Sequence, residues 1–238
     1  MLDGGSRLEA LRAAAVHTGV SAMDITVIAY GQITLDQRRI LFENQTKGRK
    51  VDARHMLALT HATGSWDDPI KKEIYGLCLM LNGDDNSPLA GRISFKEQDH
   101  VHSAKHRPAG ANVMGLMPKF RKALFSRESP FARKGEKERQ QYIQDLFRAA
   151  RNTWPAQWDD KDYILTTVRG MNALILLITD SVQYTNLIGK DFSADHIQAV
   201  IKMAAKYNWS LANNKGKSVE QIVDGLNRSI ASKSPKEA

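Results

Sequence analysis

The sequence predicts an α+β protein, a mixed strand-and-helix N-terminal part followed by a mostly helical C-terminal part. Three observations carry this. "MDITVIAYG" (Met23–Gly31) is β-branched and apolar, the pattern of a strand, and lies between two runs with apolar residues at helical spacing. "GMNALILLIT" (Gly170–Thr179) is apolar nearly all round, as a buried helix is. "SADHIQAVIKMAAKY" and "SVEQIVDGLNRSI" each open on a serine suited to capping a helix.

The elements follow in chain order. Ser6 to about His17 places Leu8, Leu11, Ala14 and Ala15 on one helical face. The Met23–Gly31 strand comes next. Residues 34–61 read as a helix, a break near Thr46–Gly48 and a second helix from about Asp52. "DPIKKEIYGLCLMLN" is a helix with Asp68 as N-cap and Pro69 at its first position. "GDDNSPLAG" is turn-rich and "RISFKEQ" reads as a short strand. Residues 102–118 carry no clear periodic signal. Glu136 to about Asn152 is a clear helix, and "DKDYILTTVRGMNALILLITDSVQY" reads as one buried helix. The last two helices start at Ser193 and at Ser218, the latter with Gln221 three residues on, a capping box. This gives a partial mixed domain over 1–100, a basic linker and helix over 101–158, a helical part over 159–232, and a polar frayed tail over 233–238.

Charge is unevenly distributed. The chain has 34 Lys/Arg, 26 Asp/Glu and a net charge of +8. Between Lys105 and Arg151 there are twelve Lys/Arg against four Asp/Glu, so this segment holds the whole excess. Such a concentration points to a polyanion partner, nucleic acid above all, against the plainer reading of a solvated basic face. Candidate phosphate contacts are Lys119, Arg121, Lys122, Arg133, Lys134 and Arg139. Phe120, Phe125, Phe131, Tyr142, Phe147, Trp154 and Trp158 lie among or just beyond them. They suit either base stacking or, for most of them, the core.

The single cysteine, Cys78, excludes an internal disulfide and fits a reducing compartment. Flanked by Leu77, Leu79, Met80 and Leu81, it reads as core. No apolar run approaches the roughly 20 residues a bilayer requires, so the expectation is a cytoplasmic protein with no membrane partner.

The opening "LDGGSRLEALRAA" puts two glycines ahead of a helix start, with Arg7 in the first turn. Backbone amides, the helix dipole and a guanidinium fork together suit an anion. This string, the strand "ITVIAYG", then "FENQTKGRKV", "LMLNGDDNSPLAGRI" and "DYILTTVRGMNALILLITD", taken in order over about residues 2–180, resembles the DGQHR-domain family. That family belongs to the ParB/sulfiredoxin-like superfamily and is related to the B proteins of Dnd DNA-phosphorothioation systems. The resemblance places the namesake motif on Asp3, Gly4, Gly5, Ser6 and Arg7, with Gly5 and Ser6 where the family has Gln and His. It implies a ParB/sulfiredoxin-like fold for the N-terminal part and phosphate or nucleotide binding at this turn. The family has strands before the motif. The chain is therefore expected to start inside an ancestral domain: either Met1 is an internal methionine of a longer reading frame, or the shortened fold is completed by a further strand, a homo-oligomer or a partner chain. Sulfiredoxin-type thiol chemistry is excluded, because no cysteine lies near residues 3–7.

Other clusters read more plainly. His100, His102 and His106 form a solvated or phosphate-contacting loop rather than a metal site. Asp84, Asp85 and Asn86 form an acidic turn, since one short cluster rarely supplies enough oxygens for a cation. "NKGKS" (Asn214–Ser218) lacks the first glycine and the preceding strand of a P-loop, and reads as a helix cap.

Three functions are thus expected, in order. The first is a DNA-binding regulator or accessory factor of a DNA-modification, bacterial or phage defence, or mobile-element system. The second is an NTP-binding or hydrolysing enzyme, using Mg²⁺ and the Asp3–Arg7 turn. The third is a non-catalytic subunit of a larger assembly. A non-enzyme is favoured, with nucleotide hydrolase or nuclease as the enzymatic options. No catalytic residue, metal ligand or cofactor is assigned.

Overall fold

The computed structural model describes residues 34, 37, 40, 53–95, 110–189 and 191–233. The chain divides into two compact units, one formed by 1–51 and 56–65, the other by 52–55 and 66–238. The expected helix at 6–17, the Met23–Gly31 strand, the Asp3–Arg7 turn and the histidine cluster lie outside the described residues.

In the first unit, Thr34 and Gln37 form a reciprocal capping pair: each backbone N–H donates to the other's side-chain oxygen, at 2.8 and 3.2 Å. Helix α1 (Ala53–Thr63), of which 56–63 belong to this unit, begins where the sequence places it, buries Leu57 and ends at Gly64. Gly64 takes φ 72°, and its N–H donates to the His61 carbonyl. This left-handed position after a helix favours glycine because it has no Cβ to clash.

The second unit is mostly helical, with one small sheet among its described residues. Helix α2 (Pro69–Gly83) starts as expected. Asp68 Oδ1 accepts from the Ile70 and Lys71 N–H groups, and Pro69 occupies the first turn, where it gives up no bond. Its buried stripe of Ile74, Leu77, Cys78 and Leu81 faces the core. Strands β1 (Ile93–Ser94) and β2 (Ala111–Asn112) pair in parallel, Ile93 opposite Ala111.

The chain passes directly from β2 into α3 (Val113–Phe125). Asn112 ends the strand and caps the helix, accepting from the Gly115 N–H at 2.7 Å. Helix α4 (Glu136–Thr153) matches its expected span, and a short turn, α5 (Pro155–Trp158), follows. The segment expected as one long buried helix is divided. Residues 163–167 form a turn bridged to Ser210, and α6 (Val168–Asp180) begins only after Thr167, whose hydroxyl accepts from the Gly170 N–H. A Cβ on Gly170 would lie 2.1 Å from the Ile164 carbonyl oxygen, so only glycine lets the turn fold back onto the helix. Ser181 then ends α6 and caps α7 (Val182–Ile188).

Helices α8 (Ala194–Met203) and α9 (Val219–Ala231) open on Ser193 and Ser218 as expected, and the Ser218–Gln221 capping box is formed. Helix α6 is buried from Gly170 to Ile178 because α3, α4, α7 and α9 all pack on it. Helix α4, the helix expected within the basic segment 101–158, packs most extensively on α8. The mostly helical reading of the C-terminal part therefore holds.

Candidate nucleic-acid interface

The basic segment contributes two helices, α3 and α4, and the loop between them. Helix α3 buries Val113, Leu116, Met117, Phe120, Ala123 and Leu124, which leaves Met114, Pro118, Arg121 and Lys122 on the outside. Each of its cations meets a carboxylate from another helix end. Lys119 Nζ lies 3.5 Å from Glu220, in the first turn of α9. Arg121 donates to Asp68, the N-cap of α2, at 2.5 Å. Lys122 donates to Asp180, the last residue of α6, at 2.8 Å. Asp68 and Glu220 sit where helix dipoles favour negative charge; Asp180 sits where its helix disfavours it, and Lys122 offsets that. The hydrogen bond from Arg121 is the main cause holding the Asp68 carboxyl below its usual value. Glu220 is lowered chiefly by its own backbone N–H, with Ser218 and Lys119 adding to the effect.

The loop and the start of α4 hold the other three predicted contacts. Arg139 is buried. Its Nε and one terminal nitrogen grip both oxygens of Glu73 on α2, at 2.7 and 2.8 Å. Its other terminal nitrogen donates to the carbonyls of Phe131 and Lys134, and the guanidinium stacks 4.5 Å above the Phe125 ring. This planar fork joins α2, α4 and the loop, and its donors are turned inward. Lys134 pairs with Glu138 at 3.1 Å, one turn on. Glu138 also accepts from the Gly135 N–H, the larger cause of its lowered pKa. Arg133 is exposed, and no ion pair engages it among the described residues.

All but one of the aromatic residues of the segment are inside, the exception being the half-buried Phe125. Phe120, Phe131, Tyr142, Phe147, Trp154 and Trp158 are each at most 2 % exposed. Phe131 and Tyr142 pack with Phe192, while Trp154 and Trp158 donate to the carbonyls of Ala205 and Pro88. Phe125 lies under Arg139. The core reading holds for this set, and it offers no exposed ring for a base to stack on.

Three cations outside the candidate set face solvent on α4: Lys137, Arg148 and Arg151. Arg148 reaches Asp145, three residues back along the helix, at 2.5 Å; Lys137 and Arg151 have no ion pair among the described residues. A sequence signal for them exists. Positions 137, 144, 148 and 151 share one helical face, opposite the buried Tyr142 and Leu146.

The remaining clusters are structural. Cys78 is fully buried, and desolvation pushes its thiol up to about 12, so it is inert as a nucleophile. Asp84 accepts from the Asn86 N–H, closing the acidic turn, and no group of three or more metal-ligating side chains occurs among the described residues. Asn214 is buried and donates to the Asn208 and Ser210 carbonyls, building the turn before the Ser218 cap. No helix among the described residues is long and apolar enough to cross a membrane.

Comparison with protein-family models, curated proteins and solved structures gives no match.

Proposed function

We propose that this chain binds nucleic acid, as a regulator or accessory factor of a DNA-modification, defence or mobile-element system. The observation that carries the reading is the segment Lys105–Arg151, with twelve cations against four carboxylates. Of the ten of those cations that lie among the described residues, seven are exposed: Arg121, Lys122, Arg127, Arg133, Lys137, Arg148 and Arg151. Arg139 is set apart from the phosphate contacts, because its donors are committed inside the fold. The ordered resemblance to the DGQHR-domain family supports the same reading and suggests the type of system. The test is a gel-shift series with DNA. If about six phosphates are contacted, affinity should fall by roughly 10³ between about 50 and 200 mM salt. Absence of binding at low salt overturns the reading.

A second reading rests on the Gly-Gly turn and Arg7. On it, calorimetric titration with ATP, GTP or CTP in Mg²⁺ gives binding that Arg7→Ala weakens about ten- to a hundredfold, as removal of a charge-assisted hydrogen bond to phosphate does. If the native chain binds none of the three, this reading falls.

A further inference from the structure

We propose that the solvent face of α4, together with Arg133 just before it, is a contact surface for double-stranded nucleic acid. This rests on the nucleic-acid binding proposed above and assigns it to one surface.

Charge favours this face. Past its first turn, the exposed side of α4 carries Gln140, Gln141, Gln144, Arg148, Arg151 and Asn152. The one carboxylate in this stretch, Asp145, is 6 % exposed and paired with Arg148. Glu136 and Glu138 stand only at the N-terminal end. There Glu138 is occupied by Gly135 and Lys134, and Glu136 accepts from Gln140. Asp84, on the turn after α2, reaches Gln144 at 3.4 Å and lies at the edge of the face. The face is thus cationic and amide-bearing, a surface complementary to a polyanion.

Its dimensions also fit. Lys137 and Arg151 are separated by about 21 Å along the helix axis at 1.5 Å per residue. A duplex presents one charge per ~1.7 Å of axis, so the face runs past about a dozen phosphate charges. A helix roughly 10–12 Å across also fits a major groove ~12 Å wide.

Burial of the aromatic residues separates duplex from single strand. Single-strand binders combine a cationic groove with exposed aromatic platforms. Here Phe120, Phe131, Tyr142 and Phe147 of the same segment are buried, and the half-buried Phe125 ring is covered by Arg139. What remains outside suits a paired backbone rather than unstacked bases.

Prior pairing separates α4 from α3. A phosphate approaching Lys119, Arg121 or Lys122 must displace Glu220, Asp68 or Asp180. At Arg133, Lys137 and Arg151 it displaces no acid among the described residues, only water and counterions.

The experiment measures fluorescence anisotropy of a labelled duplex of about 25 base pairs, and of one of its strands alone, across a salt series with the full chain. Three proteins are compared: the native chain, Lys137→Gln/Arg151→Gln, and Arg121→Gln/Lys122→Gln. Glutamine keeps helix propensity, and thermal melts confirm folding. The native chain should bind duplex more tightly than single strand. The α4 pair should flatten the slope of log affinity against log salt by about 1.8, or ~0.9 for each phosphate no longer neutralised, and the α3 pair by less than about 0.5. Each α4 single variant should give about half the effect of the pair. A larger effect in the α3 pair, an unchanged α4 pair, or single-strand binding equal to duplex overturns this inference and leaves nucleic-acid binding standing. A native chain that binds neither probe overturns both.

Discussion

Helices α3 and α4 come from one basic segment, yet they hold their cations in opposite ways. On α3, Lys119, Arg121 and Lys122 each reach an acid 53 to 101 residues away in the chain. They join the ends of α9, α2 and α6 to one helix. On α4, Lys137 and Arg151 face water with no such acid among the described residues. Local charge density is the same kind of signal in both places, but its meaning depends on where distant carboxylates fold to. A cation already paired must exchange one anion for another when it binds, whereas an unpaired one releases only counterions.

The largest expected effect tests the far end of this comparison, where a cation is wholly structural. Arg139→Ala leaves Glu73 without its partner beneath α4, and Glu73→Ala leaves the buried guanidinium without its carboxylate. Breaking a buried pair typically destabilises by ~3–5 kcal/mol; with Glu73 still 19 % exposed, about 2–4 is expected here. Arg139→Lys recovers little of it, since an ammonium cannot make the two-point grip. Urea midpoints measure this. If Arg139→Ala keeps its midpoint but binds DNA less tightly, the division between tied and free cations is broken.

Next in size is a contrast between two adjacent residues. Arg133 is exposed and has no ion pair among the described residues, while Lys134 is tied to Glu138 and lies 5.9 Å from the Phe192 ring centroid. Arg133→Gln should weaken duplex binding by about tenfold, equivalent to ~1.4 kcal/mol, and Lys134→Gln by less than about threefold. Anisotropy titrations at one fixed salt concentration decide it, and equal weakening would remove the role given to the Glu138 pairing.

These contrasts mark what is legible in the sequence. Helix caps are local, so Asp68, Ser193 and the Ser218–Gln221 box can be read directly, as can the span of α4 and the burial of Cys78. Helix α3 gives no clear signal, because Gly115 and Pro118 interrupt its pattern; tertiary burial of six of its thirteen residues overrides both. The helical pattern places the start of α6 too early. The apolar residues Ile164 and Leu165 continue that pattern but are buried in a turn, held by the backbone bond from Ile164 N–H to the Trp209 carbonyl. The acid partners of α3 are illegible for the same reason, as no local spacing connects residue 119 to residue 220. The Asp3–Arg7 turn lies outside the described residues, so its geometry adds nothing to what the motif says.

A smaller effect comes from acid. Asp68, Glu138 and Glu220 all have pKa values lowered by the fold, Asp68 mainly through Arg121. A lowered folded-state value means that the stability each contributes is complete above its unfolded value of ~4–4.5 and is lost as pH falls through the folded value. Thermal midpoints should therefore be flat from about pH 7 to 5 and decline below about pH 4. Arg121→Gln should shrink that decline, because Asp68 then titrates more nearly as it does unfolded. Arg151→Gln should leave it unchanged, because no carboxylate among the described residues pairs with Arg151. An acid response altered equally by both variants would mean that α4 carries a pairing of its own.

The smallest effect is the most direct measure of how firmly α3 holds its cations. Lys122 and Asp180 are joined at 2.8 Å, with side chains 52 % and 22 % exposed. An exposed pair of this kind is worth only ~0.2–1 kcal/mol, since solvent screens it and two side chains lose freedom to form it. A double-mutant cycle of Lys122→Ala and Asp180→Asn should give a coupling in that range, shrinking in about 1 M salt. The same variants then bear on binding. On the α4 placement Lys122 stays off the contact face even when freed, so Asp180→Asn should change duplex affinity by less than about twofold and the salt slope by less than about 0.5. A gain with a steeper slope, whether abolished by Lys122→Ala or persisting without Lys122, would place the bound phosphates close to the C-terminal end of α6, on the side of α3 rather than α4.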